Sequence, residues 1–316
     1  IFNSRTDQIG FLKDTNQIPR DNIVSKPIIL FKEEQPFKFR RGKEVFKGKI
    51  QFGFEGKRDS LNIELISKVS DSFRSISKYE IEKDTLNYWF TPHKLDSLNF
   101  IVSRKDFIDT ITVRLRKKQL DSLVINASIK KTLHFKDTFF LNTNNPIQAI
   151  DTTRIKLFEA DTIPVKYDII NSKKLNKLGI HFDKKPESSY NIKLMPNAIS
   201  DIYAIKNDTL DYKLSTKAID DYGGITLNVN NVKSKNLIIE ILTGKNQDEV
   251  LERQFISTST KVVFDLLVPQ KYTIRAIVDE NKNNKWDTGS YLKKLYPERI
   301  IYYETINNYD LRANFL

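Results

Sequence analysis

Alternation of apolar and polar residues with a period of two is the feature that most constrains this chain. It is clearest over 61–65, 111–115 and 225–229, where each segment presents one apolar face and one polar face. A strand has this period because successive side chains point to opposite faces of a sheet, whereas an amphipathic helix repeats every ~3.6 residues. The pattern therefore predicts half-buried antiparallel strands and an all-β fold.

An aspartate followed by Ser or Thr and then an apolar residue recurs along the chain and indicates the starts of strands. The carboxylate of such an Asp can close a turn, and strand-forming residues follow it. The signature begins at Asp59, Asp84, Asp96, Asp109, Asp121, Asp137, Asp161 and Asp208. From Asp84 to Asp121 it recurs every 12 or 13 residues, which is typical of strand and turn in a β-sandwich. We interpret it as architecture.

The length of the chain and the breaks in the pattern predict several domains. The 316 residues exceed one small sandwich, and two stretches, 13–26 and 220–224, are rich in polar or turn-forming residues. We therefore predict the tail of a preceding β module and a linker over 1–26. Tandem antiparallel β-sandwich domains follow over 27–128, 129–218 and 219–316.

Composition excludes some kinds of chemistry. The chain has no cysteine, so disulfides, thiolate metal sites and a cysteine nucleophile are excluded. The net charge of +12 comes from 52 basic and 40 acidic residues that are spread along the sequence. We expect no nucleic-acid partner because binding to phosphates requires a clustered basic face. An acidic glycan, lipid or protein surface is the better match for this charge.

The sequence lacks the arrangements that are typical of catalysis. His93, His134 and His181 are far apart, and none has a second ligand type at metal spacing. A glycine-rich phosphate loop and a nucleophile elbow are also missing. We therefore predict no catalytic residue and no enzyme activity. The remaining alternative is an enzyme whose carboxylates meet between domains.

One stretch near the end of the sequence has the spacing of a calcium loop. The predicted strand 272–278 leads into it, and oxygen side chains stand at positions 1, 3, 5 and 9, with a backbone carbonyl at position 7. These residues are Asp279, Asn281, Asn283 and Asp287, with Lys285 for the carbonyl. Asn284 replaces the usual Gly at position 6, and Ser290 replaces the bidentate Glu at position 12.

These departures leave two interpretations of the loop. Two carboxylates and two amides predict a weak Ca²⁺ site with a dissociation constant of about 0.1–1 mM. The alternative is an Asx-rich turn that needs no metal. Glu298 can replace the missing Glu only if the chain folds back onto the loop.

The two tryptophans are candidates for different environments. Trp89 lies in an apolar run, which predicts burial against the opposite sheet. Trp286 lies in the calcium-like loop, and an exposed aromatic ring on a sandwich can stack on a sugar. Trp286 is therefore the candidate binding residue for a glycan.

Three stretches give the chain a resemblance to a known family. They are 272–312, with its Asp-x-Asn-x-Asn-x-x-Trp-Asp-Thr-Gly loop, 190–201 together with 207–210, and 83–90. On these residues the chain resembles the C-terminal portion of Ig-like domain-containing outer-membrane lipoproteins of Bacteroidota. Such proteins combine bacterial Ig-like modules with transthyretin-like or carboxypeptidase-regulatory-like modules. The first residues, 1–12, are similar to the tail of an earlier module.

The resemblance implies a location and a role. It implies a lipid anchor upstream of residue 1 and a place at the outer membrane, on its periplasmic or its outer side. It brings no catalytic residue. We therefore expect a non-catalytic envelope lipoprotein that acts as a scaffold or accessory subunit of an outer-membrane complex for protein assembly or export. The alternative is a carbohydrate-binding or adhesion module at the cell surface.

Overall fold

The computed structural model describes residues 2–3, 8–11, 29–32, 37–56, 61–80, 84–92, 94–105, 107–117, 119–172, 176–232, 236–289 and 294–303. The predicted all-β fold of antiparallel sheets is confirmed: these residues form β-strands and two short 3-10 turns, Thr152–Arg154 and Ile219–Asp221, but no α-helix. Nothing in the described ranges is a helix of the length and hydropathy that a bilayer crossing needs. The chain divides into two compact units, Gln35–Ala218, and Ile1–Glu34 with Ile219–Leu316.

The first sandwich of Gln35–Ala218 packs two sheets around an aromatic core. Its strands are β4 (Lys38–Phe46), β5 (Lys49–Glu55), β6 (Asn62–Leu65), β7 (Arg74–Glu80), β8 (Thr85–Thr91), β9 (Ser97–Arg104) and β10 (Phe107–Arg114). One sheet has the order β4-β5-β8-β7 and the other β10-β9-β6. The ring centroid of Phe100 lies 5.1 Å from that of Phe52 and 5.2 Å from that of Tyr88, both edge to face. These contacts join the two sheets.

Trp89 is buried, but on the face of its sheet that points away from this core. It is 2% exposed. Tyr88 and Phe90 fill the core, and alternation along β8 places Trp89 on the other face. There the Lys49 ammonium lies 5.2 Å from the ring centroid. Trp89 is therefore buried, as expected. Packing against the opposite sheet, which was also expected, is not observed, because β8 is covered on both faces and Trp89 lies on the face away from that sheet.

The second sandwich completes this unit. Its strands are β11 (Ile125–Ala127), β12 (Phe139–Thr143), β13 (Ile147–Ile150), β14 (Ile155–Glu159), β15 (Ile163–Pro164), β16 (Asp168–Ser172), β17 (Lys177–His181), β18 (Ser189–Leu194), β19 (Ile199–Asp201) and β20 (Leu210–Ser215). The sheets β11-β12-β17-β16 and β15-β14-β18-β20 face each other, and β13 pairs with β19. Leu141, Ile180 and Ile192 are fully buried between the sheets.

The Asp signature marks the start of a strand at most of its described positions. Five of these aspartates stand one or two residues before a strand: Asp84, Asp96, Asp137, Asp161 and Asp208. Asp109 instead lies inside β10. The first strand after Asp121 is β11, which begins only at Ile125. Asp59 lies outside the described residues. Asp109 shows the reason for the error, since an exposed position of an alternating strand also produces an Asp-Thr-Ile sequence.

The remaining unit contains the last sandwich. Its strands are β21 (Gly223–Val229), β22 (Asn236–Thr243), β23 (Glu249–Ile256), β24 (Thr260–Leu267), β25 (Thr273–Asp279) and β26 (Ile300–Tyr302). The two-stranded sheet β21-β24 packs on the four-stranded sheet β23-β22-β25-β26, with Ile241 and Phe264 at the centre. The strands β1 (Phe2–Asn3), β2 (Gln8–Phe11) and β3 (Ile29–Lys32) form a further sheet. The predicted linker 13–26 lies outside the described residues.

Candidate calcium loop

The candidate loop begins at the end of a central strand. Asp279 is the last residue of β25, pairs with Asn236 of β22, and is 3% exposed. Asn281 and Asn283 are exposed, and Asp287 is half-buried. The sheet therefore fixes the first predicted ligand, and the others extend from it towards solvent.

Side-chain oxygens of the predicted ligands fold the loop by accepting hydrogen bonds from its backbone. Asp279 accepts from the amide of Asn283 at Oδ1, over 3.1 Å, and from that of Asn284 at Oδ2, over 2.9 Å. The Asn283 amide also donates to Oδ1 of Asn281 over 3.0 Å. Lys285 donates its amide to Oδ1 of Asn283 over 2.8 Å. The bonds of Asn281 and Asn283 reach two residues ahead and are Asx-turn contacts, whereas those of Asp279 reach four and five residues ahead and close the wider turn.

Two residues of the loop adopt the left-handed backbone conformation. Lys282 has a φ of 61° and Asn284 a φ of 59°. Position 6 of a calcium loop requires a sharp turn that Gly adopts without cost, and Asn is the residue that tolerates this region next best. Asn284 therefore adopts the sharp turn that Gly usually makes at position 6.

Asp287 brings the side chains of the loop together. Its Oδ2 accepts a hydrogen bond from Nδ2 of Asn283 over 2.7 Å and another from Nδ2 of Asn281. Four predicted ligand side chains, those of Asp279, Asn281, Asn283 and Asp287, are thus linked by one network. The side chain of Lys285 is exposed, as expected for a residue that would contribute only its carbonyl.

Glu298 folds back onto the loop. Its Oε1 accepts from the amide of Glu280 over 2.8 Å, and its Oε2 accepts from the amide of Asp287 over 3.0 Å. Its own amide donates to the carbonyl of Asp287 over 3.1 Å. The sequence suggested Glu298 only on the condition that the chain folds back, because this residue lies far beyond position 12 of the loop. Ser290, at position 12, lies outside the described residues. Glu298 closes the loop through backbone amides.

Trp286 is held in place although it is exposed. The side chain of Trp286 donates from Nε1 to the carbonyl of Glu298 over 3.1 Å, and the residue is 42% exposed. An aromatic ring with a fixed polar end offers an apolar surface at a low cost in conformational entropy. The structure therefore presents Trp286 at the surface beside the loop.

The donor set of the loop fits a weak calcium site. All its ligands are oxygens, the donor type that Ca²⁺ prefers, and each oxygen that accepts one N–H has a second lone pair. In the present arrangement, however, the amide groups of Asn281 and Asn283 donate to Asp287, where a cation would compete with them. Among the described residues, no group of three or more His, Cys, Asp or Glu side chains gathers in a way that could hold a metal ion. Any affinity of the loop for Ca²⁺ therefore depends on the side-chain amide oxygens of Asn281 and Asn283.

The described histidines have local roles. His134 accepts at Nδ1 from the amide of Lys136 over 3.1 Å, and Nδ1 of His181 lies 3.2 Å from Oγ1 of Thr138. His93 lies outside the described residues. These contacts belong to a turn and to the end of β17.

A second Asp/Asn network, which the sequence did not reveal, lies in the second sandwich. Asp201 is fully buried and accepts at Oδ1 from the amides of Tyr203 and Ile205, both over 2.9 Å. Its Oδ2 accepts from Nδ2 of Asn145 over 2.9 Å. Burial raises the pKa of the Asp201 carboxyl, against the opposing effect of these hydrogen bonds.

Tyr203 joins this network to the first sandwich. Its Oη donates to the carbonyl of Gly48, in the turn between β4 and β5, over 2.7 Å. Burial raises the pKa of Tyr203 above its ordinary value, and the charges of Asp201, Asp121 and Glu44 add to the effect. Gly48 has a φ of +77°, and a Cβ there would lie 2.9 Å from the Tyr203 ring. The two sandwiches therefore meet at a close backbone approach.

Comparison with known proteins gives distant structural neighbours only. No protein-family model matches the chain, and no curated protein matches it. The chain is similar to the pullulanase SAP of Group B Streptococcus, with 11% identity and a TM-score of 0.19 over 51% of this chain and 22% of that one. It is similar to the titin Ig tandem A164-A165, with 10% identity and a TM-score of 0.22 over 58% of this chain and 96% of that one. It is also similar to domains 5-6 of the S-layer protein SbsC, with 9% identity and a TM-score of 0.24 over 58% of this chain and 98% of that one. At these TM-scores the likeness carries nothing about how this chain works.

Proposed function

We propose that this chain is a non-catalytic scaffold of the bacterial envelope. A lipid anchor upstream of its residues holds it at the outer membrane, and its sandwich surfaces bind subunits of a complex for protein assembly or export. The location rests on the resemblance to lipoproteins of Bacteroidota. The role is supported by one observation, the junction that unites the first two sandwiches within Gln35–Ala218.

That junction holds the turn between β4 and β5 from several sides. Tyr203 of the second sandwich bonds to Gly48, and the amide of Lys47 donates to the carbonyl of Gln119 over 3.0 Å. Glu44 adds further bonds, since its Oε2 accepts from the amides of Arg116 and Lys117 over 2.6 and 2.7 Å. Sandwiches that are fixed in this way keep their outer faces at a constant spacing. Constant spacing suits a protein that positions partners.

The proposal is tested on the full-length lipidated protein. Detergent extraction of outer membranes followed by affinity capture is expected to recover a membrane protein partner in stoichiometric amount. A matched protein that lacks the upstream anchor should leave the membrane fraction and lose this partner. Recovery of the intact protein as a lone monomer, under mild detergent and at low salt, would contradict the scaffold role.

The loop of the last sandwich is proposed to hold Ca²⁺ weakly. The ligands would be the side chains of Asp279, Asn281, Asn283 and Asp287 with the carbonyl of Lys285. When bound, the ion supplies positive charge to two carboxylates that now rely on amide donors. The course of the loop is already fixed by the Asx turns of Asn281 and Asn283 and by the bonds of Asp279, and Glu298 ties its ends together. The effect of bound Ca²⁺ is therefore to make this end of the sandwich more rigid.

A second candidate function is carbohydrate binding at Trp286. The exposed ring, held by its bond to Glu298, favours it. A glycan array on the intact protein should give a signal that Trp286→Ala abolishes and that Phe255→Ala, at an exposed aromatic on β23, leaves unchanged. Silence of the wild-type protein across acidic and neutral sugars would end this candidate.

A further inference from the structure

A row of polar side chains crosses the face of the sheet β4-β5-β8-β7 that points away from the aromatic core. Asn87 on β8 is directly opposite Gln51 on β5 and Lys78 on β7, so the three side chains lie next to one another on this face. Asn87 is fully buried there. The next residue of β8 on the same face is the buried Trp89. The centre of the row is therefore shielded from water.

The side-chain amide of Asn87 is polarised at its oxygen and held by an acid at its nitrogen. Nε2 of Gln51 donates to Oδ1 of Asn87 over 2.9 Å, which draws electrons away from Cγ. Nδ2 of Asn87 donates to Oε1 of Glu80 over 2.5 Å. Cγ of Asn87 is thus activated towards a nucleophile, and a carboxyl group contacts the nitrogen that would leave.

Lys78 has the properties of that nucleophile. It is half-buried, and the Cβ atoms of directly opposite residues lie ~4.5–5.5 Å apart, a separation that a lysine side chain can span. Glu80 lies two residues further along β7 and shares the face of Lys78. Burial lowers the pKa of the Lys78 ammonium, while the charge of Glu80 opposes this effect and that of Lys177 adds to it. Burial thus favours the neutral amine, which is the nucleophilic form.

We propose that Lys78 and Asn87 join in the folded chain through an intramolecular isopeptide bond. Glu80 takes a proton from the Lys78 ammonium, and the neutral Nζ attacks Cγ of Asn87. The Nζ–Cγ bond forms, the Cγ–Nδ2 bond breaks, and Glu80 passes the proton to Nδ2, which leaves. Both protons that Nζ loses end on this nitrogen, so one ammonium ion is released and no oxidant or cofactor is consumed.

The bond fixes an edge strand of the first sandwich. In the described part of the chain, β7 is the last strand of its sheet and pairs with β8. Strands at the edge of a sheet fray more readily than central strands and can pair with other chains. A covalent link to β8 prevents both. The proposal is independent of the scaffold role and of the calcium loop.

The second sandwich contains the same combination of lysine, asparagine and carboxylate in an exposed setting. Asn191 on β18 is directly opposite Lys213 on β20, and its Nδ2 donates to Oδ1 of Asp161 over 3.1 Å. Lys213 and Asp161 are exposed, so water keeps both groups charged. We therefore expect no link at this pair, which makes it an internal control for burial.

Mass spectrometry of the purified full chain tests the proposal. The mass should be lower than that of the sequence by one ammonia. Trypsin does not cleave at an acylated lysine, so the digest should contain 75–83 joined to 84–94 through Lys78 and Asn87. An unreduced mass, with 75–78 and 79–83 released as separate peptides, would overturn the proposal. A link between Lys213 and Asn191 in its place would overturn it too.

Matched variants separate the reaction from folding. Lys78→Arg keeps the positive charge but has no amine that can lose its proton, so its mass should be the full mass of its sequence. Lys213→Arg should retain the ammonia deficit. Glu80→Gln should slow the reaction at least about a hundredfold and leave freshly purified protein mostly unlinked, with the circular dichroism of the wild type. A deficit that persists in Lys78→Arg would contradict the proposed bond, and complete linkage in fresh Glu80→Gln would contradict the role of Glu80.

Discussion

Two Asp/Asn networks of similar chemistry lie in the two units of this chain, and they differ in what surrounds them. At Asp201 the carboxylate is fully buried and accepts three hydrogen bonds, from two backbone amides and from Asn145. At Asp279 the carboxylate is also buried and accepts from two backbone amides, but Asn281 and Asn283, its neighbours in the network, face solvent.

The difference shows which of the two networks can respond to a ligand. The Asp201 carboxylate is fully buried, and its bonds lead through Tyr203 to the first sandwich, so it is not open to an ion. The bonds of Asp279 lead into an exposed loop, where the side chains of Asn281 and Asn283 can turn from the Asp287 carboxylate and offer their amide oxygens to a cation. We therefore interpret the Asp201 network as architecture and the Asp279 network as the candidate site.

The largest expected effect is that of Asp201→Ala. It leaves three donors without an acceptor, the fully buried Asn145 side chain and the half-buried amides of Tyr203 and Ile205, so the free energy of unfolding of Gln35–Ala218 should fall by about 3–5 kcal/mol. Urea unfolding followed by Trp89 fluorescence, in a Trp286→Phe background, measures this unit alone, since these are the two tryptophans of the chain. The control Asp208→Ala removes an exposed acceptor of the Thr209 amide and should cost a small fraction of that. Equal losses of stability in Asp201→Ala and Asp208→Ala would refute the structural role assigned to Asp201.

The second effect is that of Asp279→Ala on the last sandwich. The Asn284 amide loses its acceptor and the Asn283 amide keeps only Oδ1 of Asn281, so we expect a loss of about 2–3 kcal/mol, followed by Trp286 fluorescence in the presence of a chelator. The matched variant Asp287→Ala removes the acceptor of two exposed side-chain amides and should cost less. The reverse order would mean that Asp287 and not Asp279 organises the loop.

Tyr203→Phe should have a smaller effect that depends on pH. Loss of the bond to Gly48 is expected to cost about 1 kcal/mol between pH 6 and 9. Because the folded pKa of Tyr203 lies above its ordinary value of 10.0, the folded state retains a proton that the unfolded state loses. Above pH 10 the wild type should therefore lose stability faster than the variant. A gap between them that stays constant up to pH 11 would contradict a buried donor at this junction.

The smallest effect is expected from Asn284→Gly. Gly adopts a φ of 59° without the steric cost of a Cβ, so the last sandwich should gain a few tenths of a kcal/mol, at most about 1. Lys282→Gly, at a φ of 61°, is the matched variant and should gain slightly more, since Lys tolerates this conformation less well than Asn. Thermal unfolding measures both, and a loss of stability in either would mean that its side chain makes a needed contact.

The sequence predicted elements whose signals are local. Alternation over 111–115 and 225–229 corresponds to half-buried strands, and the spacing from Asp279 to Asp287 corresponds to side chains that interact in one loop. Each of these signals is carried by residues that are close in the chain. They could be recognised for that reason.

Features that depend on distant residues could not be predicted. Asn145 and Asp201 are 56 residues apart, and Tyr203 is 155 residues from Gly48, so no spacing rule connects them. Trp89 was predicted on the wrong face because an apolar run does not show which side meets the core. Glu298 reaches its loop through a fold-back of the chain that spacing does not encode.

The most direct test of this account is the calcium response of the two units, each read by its own tryptophan. With about 10 mM Ca²⁺, which is 10–100 times the expected dissociation constant, the last sandwich should gain ~1.4–2.7 kcal/mol over its stability in chelator. Gln35–Ala218 should not change, and Asp279→Ala should abolish the gain. No gain at this concentration, or one that survives in Asp279→Ala, would contradict the claim that the Asp279 network and not the Asp201 network holds a cation.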